Sequence, residues 1–307
     1  MKKQQFSLAL LHLRYWLTWV GFALWWLFAQ LPYRWQLMLG RGLGWVAFHL
    51  AKRRRGIAER NIAVCFPSLS QAEQAQMVRA TINSTAIAVF ESGIAWFWPA
   101  QRMRKLFRIE GIEHLQRAER EGQGVVLVAM HFTTLDIGGA ILSLEHSIDA
   151  MYRPHNNAVY DYLQRKGRER HNEASRVFPR EDVRGTVKAL KSGRAVWYAP
   201  DQDYGRKRSV FVPFFGVQTA TVTATAHLAR LGKARVIPFI QKRLADGSGY
   251  IVKVYPPLEN FPEGDDSADA RRINAFIEER VRENPAQYMW VHRRFKTRPE
   301  GEPDFYD

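Results

Sequence analysis

The sequence has a single cysteine, Cys65, among its 307 residues. No internal disulfide can form, and the composition suits a reducing compartment. The nine histidines are dispersed and no His/Cys group has metal-ligand spacing, so no metal centre is expected. A glycine-rich phosphate loop of the nucleotide type is missing too, so neither a nucleotide cofactor nor ATP dependence is expected. No segment repeats. Acidic residues are in short supply: 30 Asp and Glu stand against 45 Lys and Arg, a formal charge of +15. That imbalance points to an anionic partner, whether nucleic acid, anionic lipid or an acidic protein.

What is present is apolar and aromatic. With 46% hydrophobic residues the chain can bury one large domain plus an appendage. Ten Trp and 18 Phe favour a membrane interface, where aromatic rings sit at headgroup level. Tyr15 to Leu31 runs without a charge and is a candidate membrane anchor. Its length is at the short end for a spanning helix, which leaves a tilted span and an embedded hairpin arm both open. A secretory signal would read Lys2 and Lys3 as its basic start, but no small-x-small cleavage site follows, so the anchor is expected to stay uncleaved. Lys52 to Arg55 is a run of four cations beside an apolar helix, suited to anionic headgroups or to a solvated helix end.

The stretch Gly124 to Gly139, GVVLVAMHFTTLDIGG, concentrates the chemistry. Val125 to Met130 reads as an inner strand of an α/β sheet that stops at His131 and turns into a helix. Ligands of such sheets meet the chain beyond strand ends. Residues five apart on a continuous helix do not face each other, so His131 and Asp136 can meet only across such a turn. Thr133 or Thr134 is then the expected N-cap, and Asp136 falls in the first helical turn. In that arrangement the Asp136 carboxylate fixes the imidazole tautomer and leaves the other nitrogen to take a proton. The spacing alone is weak, because nine His and 30 acids in 307 residues give about one such pair by chance. His114 and Glu119 form that decoy, in what reads as an exposed helix.

The remaining elements surround this stretch. Ile57 to Trp98 is helical with a turn at Cys65 to Ser68 and a cap at Ser70; its closing aromatics, Trp96 to Trp98, are read as core. Strands are expected at Phe107 to Gly111, Ile148 to Arg153 and Ala195 to Pro200, with helices at Ile112 to Glu121, Ala158 to Arg170 and Val183 to Lys191. Cations from Arg153 to Arg170 gather near the end of the second of these strands and face the His131 site if the strands are neighbours. The loop Asp201 to Arg208 mixes acidic, aromatic and basic residues as a binding surface does. Thr219 to Thr225 is expected to start a helix ending near Gly232. Ala234 to Lys242 and Tyr250 to Tyr255 form a hairpin, and Ala268 to Glu283 a helix. In the tail, Trp290 and Phe295 alternate with His292, Arg293, Arg294, Lys296 and Arg298, a pattern that suggests phosphate binding.

Taken with LRYWLTW (Leu13 to Trp19), ESGIAWFWP (Glu91 to Pro99), MYRPHNN (Met151 to Asn157), WYAPDQDYG (Trp197 to Gly205) and QYMWVHRRFKTRPEG (Gln287 to Gly301), the chain resembles the late acyltransferases of lipid A biosynthesis, within the lysophospholipid acyltransferase superfamily. The resemblance covers almost the whole chain. It implies an α/β fold with a mixed, mostly parallel sheet flanked by helices, as in glycerolipid acyltransferases. Residues 1–35 would be the membrane anchor, 36–104 a helical membrane-proximal region and 105–307 the catalytic domain. It further implies transfer of a fatty acyl chain, laurate or similar, from acyl carrier protein to a hydroxyl of a Kdo-bearing lipid IVA precursor. The setting would be the cytoplasmic face of a Gram-negative inner membrane, with anionic lipids as further partners. The resemblance implies neither a cofactor nor a nucleic-acid partner. Enteric members commonly carry Glu where this chain has Asp136.

On this basis His131, oriented by Asp136, is expected to deprotonate the acceptor hydroxyl, and Arg168 to stabilise the developing oxyanion. The motif match ties Asp201 to the active site and makes Arg153 and Arg206 expected phosphate ligands. Two other classes compete. An acyltransferase of the same superfamily acting on a lysophospholipid or glycerol phosphate would share the His-Asp motif. A non-catalytic binder of anionic lipid or nucleic acid would explain the charge but needs no acid after His131.

Overall fold

A computed structural model describes residues 6–306, so Lys2 and Lys3 lie outside the described residues. Two short 3-10 turns lead into α1 (Trp16–Ala29), and Pro32 breaks the chain before α2 (Tyr33–Leu50). Three helices follow: α3 (Lys52–Cys65), α4 (Gln71–Phe97) and the short α5 (Ala100–Met103). Ser70 caps α4 as its sequence suggests: Glu73 N–H donates to the Ser70 hydroxyl while the Glu73 carboxylate accepts from Ser70 N–H, at 2.8 Å for the latter.

The α/β part runs β1 (Phe107–Glu110), α6 (Glu113–Arg120), β2 (Val125–Val128), α7 (Leu135–Glu145), β3 (Ile148–Tyr152), α8 (Ala158–Glu169), β4 (Val177–Pro179), α9 (Val183–Lys191) and β5 (Ala195–Tyr198). It continues through β6 (Ser209–Phe214), β7 (Val217–Val222), α10 (Ala224–Gly232), β8 (Arg235–Arg243), β9 (Tyr250–Val254) and α11 (Asp266–Glu283). Seven strands form one sheet in the order β1-β9-β8-β2-β5-β3-β4, parallel at every pair except the β8–β9 hairpin. The sheet is therefore mixed and mostly parallel, as expected. Three strands had no expectation: β4 is only three residues long, β6 lies in a stretch given no element, and β7 occupies residues read as a helix start. The β-branched run Val217, Thr219, Thr221 and Val222 pairs antiparallel with β6, burying the Thr side chains, and the helix begins only at Ala224.

β2 is buried on both faces, which is why its sequence is apolar without alternation. Val125 and Leu127 face a core made with α1, the end of α4, α7 and α8; Val126 and Val128 face a second core with α3, α9, α10 and α11. Each such aliphatic side chain contributes about 1.5–3 kcal/mol on burial. Phe22, Tyr33 and Leu37 share the first core with the sheet, so the N-terminal helices and the sheet pack as neighbours. Trp96 and Trp98 are core residues, as expected. The tail, whose charges suggested phosphate binding, is exposed at Lys296 but not throughout. Trp290, Arg294 and Phe295 are buried, and the Arg294 guanidinium donates to the Ala220 carbonyl at 2.7 Å.

No helix is long and apolar enough to cross a membrane among the described residues. At about 1.5 Å per residue, the 14 residues of α1 reach roughly 21 Å, short of a hydrocarbon core of about 30 Å. Its apolar side chains are nevertheless exposed: Trp16, Leu17, Val20, Leu24, Trp26, Leu27 and Phe28 project from α1, and Trp35, Met38, Leu43, Trp45 and Leu50 from α2.

Candidate active site

Parallel register builds the centre of the site. β2 and β5 are adjacent, with Val128 opposite Tyr198. Three residues beyond each of these partners stand His131 and Asp201, so the two strand ends deliver their side chains to each other. His131 Nδ1 lies 2.6 Å from Asp201 Oδ1, and the His131 backbone N–H donates to Asp201 Oδ2 at 2.7 Å. Asp201 is buried, while the imidazole retains a 16% exposed side chain. Burial pushes the Asp201 carboxyl up, but attraction to His131, the bonds from its ring and backbone, and the nearby Arg294 outweigh this and hold it below the usual carboxylate value.

The His131–Asp136 pair expected from spacing does not form. Asp136 does sit in the first turn of α7, but its carboxylate is turned to the neighbouring helices. Arg168 of α8 donates from Nη2 to Oδ1 at 2.9 Å and from Nε at 3.3 Å, and the Ser92 hydroxyl of α4 donates to Oδ2 at 2.9 Å. The nitrogen of His131 that Asp136 was to hold is taken by Asp201. Arg168 thereby becomes the fixed cation of the site, with Nη1 free of hydrogen bonds among the described residues.

The loop between β2 and α7 is pinned from several sides. Thr134 is the N-cap residue, as one of the two expected threonines, yet its hydroxyl donates to the Gln241 carbonyl at 3.1 Å rather than capping the helix. The hydroxyls of Thr133 and Ser84 are 2.7 Å apart, and Ser84 accepts from Arg243 at 2.5 Å. Arg243 also donates to Glu91 at 2.8 Å, and Glu91 accepts from Tyr250 at 2.9 Å. From the tail, Gln287 accepts from Thr133 N–H at 2.7 Å and Met289 N–H donates to the His131 carbonyl at 2.9 Å. Gly138 and Gly139 let α7 lie close on the sheet: a Cβ at Gly138 would fall 2.5 Å from the Gln241 side chain.

His131 opens into a cleft of about 440 Å³. Arg153, Arg168, Arg180 and Lys296 line it, together with Gln202, Tyr204 and His292. His292 is held neutral: burial first, then the neighbouring charge of His131, lower its pKa to about 4. Of the two expected phosphate ligands, Arg153 reaches the cleft and Arg206 does not; Arg168, the expected oxyanion donor, also lines it. Arg206 lies over the Phe211 ring and donates to the Arg298 carbonyl at 2.7 Å, because its 3-10 turn folds against the tail. A narrow apolar slot continues from Asp136, Arg168 and Trp197 into the core between α4, α7 and α8, past Leu127, Ala140 and Phe239.

Sequence reasoning missed Ser92, Arg180 and Arg243. A signal existed for His131 with Asp201: two apolar runs that each stop directly at a polar group, on strands that pair in register.

The family profile for the bacterial lipid A biosynthesis acyltransferases matches residues 3–297. The chain belongs to the bacterial lipid A biosynthesis acyltransferase family. It is 45% identical over 303 residues to the lipid A biosynthesis palmitoleoyltransferase of Escherichia coli and 44% identical to the lauroyltransferase of that organism, covering 98% of each chain. Identity to a lipid A biosynthesis acyltransferase of Haemophilus influenzae is 41% over 311 residues, 100% of this chain and 99% of that one. The chain is thus an acyltransferase of lipid A biosynthesis.

Proposed function

We propose that the protein transfers a lauroyl or similar chain from acyl carrier protein to a hydroxyl of a Kdo-bearing lipid IVA precursor, with His131 as the general base. The observation that carries this reading is His131 itself, tied through Nδ1 to a buried carboxylate while its ring opens into a basic cleft. With Nδ1–H donated to Asp201, Nε2 is the nitrogen that accepts the proton of the attacking hydroxyl. The alkoxide adds to the thioester carbonyl, the tetrahedral intermediate collapses, and the carrier thiolate leaves, taking up the proton from His131. No covalent enzyme intermediate is required.

Arg168, held by Asp136, presents its free Nη1 toward the developing oxyanion. Arg153, Arg180 and Lys296 suit the phosphates of the acceptor. The apolar slot beside Asp136 suits the start of an acyl chain. At about 20 Å³ it has room for little more than one water, so a chain enters only if side chains lining it move.

The same reading takes the exposed faces of α1 and α2 as a surface embedded in one leaflet of the inner membrane, from its cytoplasmic side. Of the two anchor geometries, the short α1 and the break at Pro32 favour an embedded hairpin over a span. Mass spectrometry of a Kdo-bearing lipid A precursor incubated with the protein and mixed acyl carrier protein thioesters tests the whole reading. A product heavier by one acyl group is expected, with its mass giving the preferred chain; an unmodified acceptor beside an acylated lysophospholipid control would sink it.

A further inference from the structure

Apart from α1, α2 and the segment before them, only four large apolar side chains are strongly exposed among the described residues: Val89, Val183, Tyr204 and Leu231. Two of these, Val183 and Leu231, line one shallow open groove between α9 and the end of α10. The other lining residues are Val187, Arg184, Lys188 and Lys191. Gly232 creates the groove by letting α10 approach α9 closely; a Cβ there would fall 2.7 Å from Leu190.

With 45 cations in the chain, a basic rim alone means little. Its coincidence with an exposed aliphatic floor is the informative feature. Arg184, Lys188 and Lys191 form no ion pair among the described residues, nor do the adjoining Arg230 and Lys233. The acids nearest in sequence are already engaged: Glu181 with Arg180, and Asp182 in capping Gly185 N–H at 2.9 Å.

Placement strengthens the point. α9 and α10 pack on the sheet face opposite the one carrying α1, α7 and α8, so the groove faces away from the apolar surface of α1. Its upper end, Val183, is three residues from Arg180, which lines the catalytic cleft.

We propose that this groove is the docking site of the protein that carries the acyl donor: an acidic partner with an apolar helix face, its carboxylates on the rim and its aliphatic residues on Val183, Val187 and Leu231. The proposal rests on the reading that the donor is a carrier-protein thioester. A flexible prosthetic arm then passes over the first turn of α9, beside Arg180, into the cleft. Small transient interfaces of this kind gain rate and selectivity from charge more than from area.

The test is steady-state transfer from acyl carrier protein by the full-length protein carrying R184E, K188E and K191E together, and separately by L231S. Both should raise KM for the carrier thioester, the triple variant by about tenfold or more, with kcat within about twofold of the unaltered protein. The unaltered protein should lose kcat/KM as salt rises, and the triple variant much less so. Unchanged KM in both variants overturns the proposal while leaving the donor reading intact. Loss of kcat with no rise in KM also overturns it, by marking the groove as structural. If the unaltered protein accepts an acyl-pantetheine but no carrier thioester, the donor reading falls and the proposal with it.

Discussion

Replacing Asp201 by Asn separates the two carboxylates that compete for the role of holding His131. Opposite charges 2.6 Å apart attract by roughly 6 kcal/mol at an effective dielectric of about 20, and that attraction exists only once the imidazole has taken its proton. The amide of Asn keeps a dipole at the same place, so about 4–5 kcal/mol is lost, a fall of about 10³–10⁴ in kcat. A second effect acts in the same direction. The Asn oxygen is the natural acceptor for the His131 backbone N–H, which turns the NH₂ group toward Nδ1. The proton then resides on Nε2, which can no longer accept one; the same tautomer error in a Ser-His-Asp triad lowers kcat by about 10⁴. Because a hydrogen bond and not a titration sets the tautomer, raising the pH should not restore the rate. The assay is acyl transfer to the lipid A precursor over a range of pH, with circular dichroism confirming the fold. Transfer by a folded D201N protein within about tenfold of the unaltered rate would refute the assignment of Asp201 as the partner of His131.

Asp136 and Arg168 should behave as one unit. D136N is expected to lower kcat by about 10²–10³ through release of Arg168, R168Q by a similar factor, and the double variant scarcely further, whereas D136N and D201N should combine nearly multiplicatively. Removing Arg243 leaves Glu91 buried and unpaired and frees Ser84 beneath the His131 loop; R243L should cost about 3–5 kcal/mol in urea unfolding, and E91Q with R243L much less than the sum of the single changes. His292 makes stability depend on pH. Its folded pKa of about 4 lies below the ordinary 6.5, so between these values the unfolded chain binds the extra proton. Stability is then full above pH 6.5, falls by about 3 kcal/mol as the pH drops toward 4, and levels off below; H292N should flatten that slope in urea titrations.

The fold was largely legible because its signals are local. Apolar runs such as Val125 to Val128 and the capping box at Ser70 need no partner to be recognised. β7 was misread because the short run from Val217 to Val222 carries little periodicity of its own and gains its stability from pairing with β6. The site was legible in its members and not in its bonds. His131, Asp136, Arg168, Arg153 and Asp201 all converge near the cleft, but spacing along one chain says nothing of which carboxylate a neighbouring strand brings closer. Arg243 and Ser92 act from elements far away in sequence, where no motif marks them. The tail was legible only in part, because alternating aromatic and basic residues look alike whether Arg294 faces solvent or a buried carbonyl at Ala220.

The most direct measurement is single-turnover acyl transfer by purified His131→Ala protein, with carrier thioester and a Kdo-bearing lipid A precursor and with folding verified beforehand. A general base typically contributes about 10²- to 10⁴-fold, so the chemical step should slow by at least about a hundredfold while carrier binding is unchanged. A folded His131→Ala protein that transfers the chain at close to the unaltered rate would contradict the role given to His131 and, with it, the chemistry assigned to the cleft.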